Sequence, residues 1–251
     1  MSLKTERYVM LADITRCINC KACVVACRAE WQTPLGYSRD WVKEVELSTA
    51  DGFPVVQLFP GRCQHCDDAP CVEACPSGAA WKRADGMVLV DDELCSGCEL
   101  CVPACPYEAR WLNPETNTIS KCTFCQPRVD EGLQPACVQT CVGGALKFGD
   151  ANDPASEVSR LLREKDWVQL TTQEVPGGTS HYYHTGGAPL PAEVLPRPVG
   201  QHLQAKILSD VVNPAAGIGI GGMVAAFLGA GVKKIIDRRN ALAGGEEKGH
   251  E

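Results

Sequence analysis

Sixteen cysteines stand within the first 141 residues of this 251-residue chain, and none follows them. They fall into four sets of four: Cys17, Cys20, Cys23, Cys27; Cys63, Cys66, Cys71, Cys75; Cys95, Cys98, Cys101, Cys105; and Cys122, Cys125, Cys137, Cys141. Sets one and three read C-x2-C-x2-C-x3-C. Thiolate sulfur is soft and suits iron–sulfur clusters. A cube of four irons and four sulfides leaves one open position on each iron, and each takes one thiolate. Three cysteines two residues apart let a short loop wrap three corners of one cube. Sixteen thiolates therefore match four [4Fe–4S] cubes, and the chemistry is the passage of single electrons. A four-cysteine zinc site uses two C-x-x-C knuckles separated by a longer stretch. Set four, with eleven residues between Cys125 and Cys137, satisfies that pattern, but sets one and three do not. Disulfide frameworks belong mostly to small secreted domains without an adequate core, and this chain is long enough to bury one.

The fourth cysteine of such a run, followed by proline, ligates the other cluster of a two-cluster bacterial ferredoxin module. Cys75-Pro76 and Cys105-Pro106 both carry that proline, and their sets are adjacent, so sets two and three read as one module. Sets one and four are left as the second, with the first inserted between its halves. Cross-ligation then predicts cluster A on Cys17, Cys20, Cys23 and Cys141, and cluster B on Cys122, Cys125, Cys137 and Cys27. Cluster C falls on Cys63, Cys66, Cys71 and Cys105, and cluster D on Cys95, Cys98, Cys101 and Cys75. The expected fold is α+β: two interleaved bacterial ferredoxin-like 2[4Fe–4S] modules plus a single C-terminal transmembrane helix. The four-cluster domain spans 1–150, with the inserted module at 62–111 and the second at 8–60 and 112–150.

Short elements must hold these loops. Residues 8–12 read as a strand leading into the first loop. Val42–Leu47 and Val55–Phe59 read as a hairpin turning at Asp51-Gly52, and Met87–Val90 as a strand after Asp85-Gly86. Ile18, Val24 and Val72, lying between cysteines, are expected to pack on the clusters. Asp153-Pro154 reads as a helix start, with Val158, Leu161 and Leu162 on one apolar face, and 167–172 as a strand. Residues 175–200 are rich in Pro and Gly and read as an extended linker or partner-hugging arm, within a helix-and-arm region of 151–213. Ala215–Val232 is eighteen residues without a charge, the lower limit for a membrane span. Gly217 and Gly221 form a small-residue step suited to packing on a neighbouring membrane helix. A transmembrane anchor is therefore expected at 214–236, followed by a charged tail at 237–251. Lys233, Lys234, Arg238 and Arg239 follow the apolar run, so the positive-inside rule puts the C-terminus in the cytoplasm and the cluster domain on the periplasmic face of the cell membrane. The opposite, cytoplasmic face is the alternative.

A net charge of −7 and 6% aromatic residues exclude a basic, stacking nucleic-acid surface. Met1–Met10 holds neither an apolar signal core nor a twin arginine. No P-loop or dinucleotide fingerprint is present, so no catalytic residue is assigned and the chain is expected to be no enzyme on its own. His65, inside a C-x-x-C, is expected to hydrogen-bond near a cluster rather than ligate it. His181 and His184 read as surface histidines in a loop. Lys21, Arg28, Arg62, Lys82 and Lys121 lie near cysteines in sequence and should raise neighbouring potentials.

The array from about Tyr8 to Leu162 resembles the four-cluster iron–sulfur subunit of the molybdenum/tungsten bis-pterin oxidoreductases, the dimethyl sulfoxide reductase superfamily. The most specific stretches are Cys63-Gln-His-Cys-Asp-Asp-Ala-Pro-Cys71, Lys121-Cys-Thr-Phe-Cys125 and Pro135-Ala-Cys-Val-Gln-Thr-Cys141. Phe148-Gly-Asp-Ala-Asn-Asp-Pro154 is similar to the sulfur-compound and arsenate branches, whereas the C-terminal anchor looks more like that of membrane-bound formate dehydrogenase. The resemblance implies four [4Fe–4S] clusters, the same cluster pairing, and electron transfer between two partners. One is a large catalytic subunit carrying the molybdenum or tungsten bis-pterin. The other is an integral membrane quinone-reactive subunit, either a cytochrome b or a polytopic haem-free protein. The alternative is an independent polyferredoxin or the shuttle of another complex such as a hydrogenase.

Overall fold

The computed structural model describes residues 6–48, 51–171, 175 and 177–197. The expected anchor at 214–236 and tail at 237–251 lie outside them. Among the described residues no helix is long and apolar enough to cross a membrane.

Strand β1 (Tyr8–Asp13) is apolar on both faces because both are covered. Met10 and Ala12 face the main core, while Val9 and Leu11 face a smaller one capped by Val158. A 3-10 turn (Ile14–Arg16) carries the chain into the first cysteine loop. Helix α1 (Ala22–Glu30) follows, then a long antiparallel hairpin of β2 (Asp40–Ser48) and β3 (Pro54–Arg62). Its strands extend beyond the expected ones and bring Asp40 opposite Arg62. The next stretch is built of short pieces: α2 (Pro70–Glu73), the hairpin β4 (Ala80–Lys82) with β5 (Val88–Val90), and the two-residue pair β6 (Trp111–Leu112) with β7 (Ile119–Ser120). Then come α3 (Gln126–Asp130), α4 (Ala136–Gln139) and β8 (Leu146–Asp150). Strand β8 returns to pair antiparallel with β1, Ala12 opposite Leu146, and α4 lies against α1. The first and fourth cysteine sets are thereby brought side by side.

Three expectations after residue 150 are corrected. Helix α5 (Glu157–Glu164) is capped by Ser156, whose side chain accepts from Ser159 N at 3.1 Å. Asp153 instead closes a turn, accepting from Ala155 N at 2.9 Å. Both residue types favour caps, and the apolar face of α5 chose the later one, because Val158 then meets Val9 and Leu11. Residues 167–171 are not a strand: Val168 makes one isolated bridge to Tyr183. The Pro/Gly-rich stretch is no free linker. It contains β9 (His181–His184), which adds parallel to β1 and completes a three-stranded sheet in the order β8-β1-β9. A second 3-10 turn (Ala192–Val194) then lies on the chain's own core. Lys43 donates to the Glu193 carbonyl at 3.1 Å and Arg197 N to the Pro106 carbonyl at 2.9 Å.

Candidate iron–sulfur centres

The first C-x-x-C of each set begins a loop with the same backbone device. Its second intervening residue sits in the left-handed region: Asn19 (φ 56°), His65 (47°), Gly97 (67°) and Phe124 (56°). Such a reversal turns successive N–H groups toward one side and forms an anion-binding concavity. Backbone N–H groups do reach the thiols. Ala80 N donates to Cys75 Sγ at 3.3 Å, Ala109 N to Cys105 and Ile119 N to Cys95 at 3.4 Å, and Phe124 N to Cys122 at 3.5 Å.

The structure gathers the thiols across the chain. Cys17, Cys20, Cys23 and Cys141 line one cavity. Cys27, Cys122, Cys125 and Cys137 line another, together with Asp40 and Arg62. Cys66 lies in the field of Cys63, Cys71 and Cys105, and Cys101 in that of Cys71 and Cys75. None of the sixteen is in a disulfide. Burial differs between the groups. Every thiol of Cys27, Cys122, Cys125, Cys137 and of Cys63, Cys66, Cys71, Cys105 is buried. Cys20 is exposed, and Cys17, Cys141, Cys75 and Cys98 are half-buried.

Burial, with the neighbouring thiolates or Asp40 adding to it, pushes thiol pKa values up, to about 12 for Cys105 and well above the ordinary value for Cys27, Cys66 and Cys137. A crowd of buried thiols becomes a crowd of thiolates only when a cation takes their charge. Four thiolates on one zinc would converge at bonds of about 2.3 Å around a point. Among the described residues no group of three or more His, Cys, Asp or Glu converges so tightly. Sixteen free thiols, gathered in fours from distant parts of the chain, are the donor set of polynuclear iron–sulfur groups.

Three buried cations stand among the thiols. Arg62 is wholly buried, with one guanidinium nitrogen 3.9 Å from Cys137 Sγ and another 3.8 Å from Asp40. Burial opposes its charge, but Cys137, Asp40, Cys122 and Cys23 outweigh it and raise its pKa. Burial first, only partly offset by Arg62, lifts the Asp40 carboxyl to about 6. Lys121 donates to the carbonyls of Val88 and Cys122. Arg110 is only 3% exposed, and none of its three guanidinium nitrogens meets a protein oxygen or nitrogen. Its neighbours are Cys71, Cys101, Cys63 and Cys105, whose charge outweighs the effect of burial and raises its pKa. An isolated buried cation is very costly; Arg110 is tolerable only beside a permanent negative charge, which a thiolate-ligated cluster supplies.

Of the five basic residues singled out from the sequence, only Arg62 and Lys121 are buried among thiols. Lys21 binds the Val42 carbonyl at 3.1 Å and Arg28 the Pro34 carbonyl at 3.4 Å. Lys82 is fixed by Asp67 and the Cys66 carbonyl, all at 2.9 Å. Arg110 and Asp40 were missed. Arg110 has no local motif, and the only signal for Asp40 was its place at the foot of the hairpin. Ile18 does not pack on a cluster: it is 64% exposed, whereas Val24 and Val72 join the cores. His65 is wholly buried, accepts from Val88 N at 2.9 Å and stacks on Phe124 at 3.7 Å; burial, then Lys121, holds it neutral. His181 is not on the surface either. It is wholly buried in β9, beside Gln64 at 3.2 Å and Tyr183 at 3.3 Å.

These loops, thiol groups and buried cations define a ferredoxin-type iron–sulfur electron carrier. Residues 54–151 and 16–79 each match a family described as a 4Fe-4S dicluster domain. The chain is 45% identical over 184 residues to a tetrathionate reductase subunit of Salmonella typhimurium, covering 72% of this chain and 73% of that one. It is 42% identical over 185 residues to the thiosulfate reductase electron transfer subunit PhsB of Salmonella typhi, covering 73% and 94%. It is 43% identical over 169 residues to protein NrfC of Escherichia coli K12, covering 66% and 75%. The chain belongs to the family of iron–sulfur electron-transfer subunits of reductase complexes.

Proposed function

We propose that this chain relays electrons through four [4Fe–4S] clusters, A to D in that spatial order, between a molybdenum or tungsten catalytic subunit and a membrane quinone-reactive subunit. The observation that carries it is the grouping of thiols with their burial: the inner groups are sealed and the outer two reach the surface. The proposed ligands are Cys17, Cys20, Cys23 and Cys141 for A, Cys27, Cys122, Cys125 and Cys137 for B, Cys63, Cys66, Cys71 and Cys105 for C, and Cys75, Cys95, Cys98 and Cys101 for D. The two ferredoxin modules are then interleaved, as the pairing of β1 with β8 favours. When bound, each cluster supplies a one-electron couple. The chain's own residues hold each corner through a thiolate, aim N–H donors at sulfur and keep water from the inner pair. The names of two relatives favour a catalytic partner that reduces a sulfur oxyanion. We further propose that 214–236 anchors the chain, with the clusters on the periplasmic face of the membrane.

Metal analysis of the complex, purified anaerobically from native membranes, tests this. Iron near sixteen atoms per chain together with molybdenum or tungsten is expected. Iron alone in an intact preparation overturns the proposed partner in favour of an independent polyferredoxin, and zinc in place of iron overturns the clusters themselves.

A further inference from the structure

The three buried cations do not scatter among the thiols; they alternate with the groups. Arg62 lines the cavity of Cys27, Cys122, Cys125 and Cys137 and also lies in the field of Cys23 from the neighbouring group. Lys121 is bonded to the Cys122 carbonyl, and Cys63 and Cys71 of the next group act on it as well. Arg110, buried with no oxygen or nitrogen partner, lies in the field of Cys71, Cys63 and Cys105 of one group and of Cys101 of the next, and it also acts on Lys121. Arg62 thus acts on thiols of groups A and B, Lys121 on those of B and C, and Arg110 on those of C and D.

We infer that Arg62, Lys121 and Arg110 are shared potential-setting residues, each favouring the reduced state of the two clusters it separates. The inference rests on the cluster pairing proposed above. A tetrathiolate cluster is negative, and reduction adds a further negative charge. Two such groups side by side in a low-dielectric interior repel, and net charge is one of the factors that set cluster potentials. A cation between them offsets the repulsion and pulls both potentials up. Arg110 has no carboxylate partner, while Arg62 shares its charge with Asp40 at 3.8 Å. Arg110 should therefore have the largest effect.

The test is an EPR-monitored redox titration of the full chain in its anaerobically purified complex. Ligand variants assign the signals first: Cys17→Ser and Cys141→Ser must perturb one and the same signal, as must Cys75→Ser and Cys95→Ser. If they do not, the pairing fails, whatever the cations do. With signals assigned, Arg110→Gln should lower the reduction equilibrium of C and D at least tenfold, ~59 mV for a one-electron couple, and leave A and B in place. Lys121→Gln should move B and C instead, and Arg110→Lys should restore C and D. Four loaded clusters with unmoved potentials would overturn the inference, as would an equal shift in all four or an undiminished shift in Arg110→Lys. If Arg110→Gln fails to load, Lys121→Gln decides alone. If neither loads, these cations hold the clusters rather than tune them, and the inference is overturned.

Discussion

Ligand chemistry is local, which is why the sixteen cysteines could be read directly from their spacing. The backbone conformation those loops need was not visible in the same way. Four unlike residues, Asn19, His65, Gly97 and Phe124, adopt one left-handed geometry at the same place in the first C-x-x-C of each set. For an ordinary L-residue this costs about 1 kcal/mol or more, and the surrounding fold must hold it. Phe124 is held by stacking on His65 and by an edge contact with Phe148 at 5.2 Å. Gly97 is different, because it combines φ 67° with an approach of the Asn117 carbonyl that leaves no room for a Cβ. Gly97→Ala should therefore displace the loop of Cys95, Cys98 and Cys101 and lower iron by roughly four atoms per chain. Asn19→Gly should load fully. Iron analysis with EPR spin counting distinguishes them, and full loading of Gly97→Ala would mean that the loop yields. Arg110 marks the limit of reading at this scale: what sets it apart is burial among distant thiols, which no neighbour in sequence announces.

The elements were legible where an apolar run or a hydrophobic alternation is strong, as in β1 and in the β2–β3 hairpin, and illegible where nothing local marks them. Strand β9 is four residues within a Pro- and Gly-rich stretch. Its alternation of buried His181 and Tyr183 with half-buried Tyr182 and His184 makes sense only against β1, at the other end of the described chain. A further long-range tie fixes the exit of β1. The side chain of Asp13 accepts from Thr15 N at 3.2 Å, capping the 3-10 turn, and pairs with Lys165 at 2.6 Å. Burial alone would raise its pKa, but the hydrogen bonds from Lys165 and Thr15 outweigh it and hold the carboxyl below its ordinary 3.8. A carboxyl depressed in the folded state stabilises fully above the unfolded value and loses that contribution as pH falls through the folded one. Asp13→Asn should accordingly unfold more easily than the parent near neutral pH, and the gap should close as the pH drops below about 4. Urea titrations of both chains across that range measure it; a gap independent of pH would mean that the charge of Asp13, and with it the pair with Lys165, contributes nothing.

At the scale of the molecule, burial rather than ligand type separates the four thiol groups. All four groups offer only cysteine, so sequence alone treats them as equivalents. The folded chain does not: the eight thiols of the inner two groups are buried, whereas five of the other eight are half-buried or exposed. The cause is topological. Sets one and four meet through β1, β8, α1 and α4, which places Cys27 inward with Cys122, Cys125 and Cys137 but leaves Cys17, Cys20 and Cys141 at the edge. The same arrangement leaves Cys75 and Cys98 at the far edge and seals Cys63 with Cys105. Electrons can enter and leave only where a cluster approaches the surface, and oxidants reach the clusters by the same openings. Brief air exposure of the fully loaded chain should therefore remove the outer two clusters first. The number of clusters, followed by EPR spin counting of reduced samples over time, should fall from about four to a plateau near two before further loss. Simultaneous decay of all four would mean that the chain opens as one unit before any cluster is attacked. It would also remove the basis for treating the buried pair as an insulated middle section of the relay.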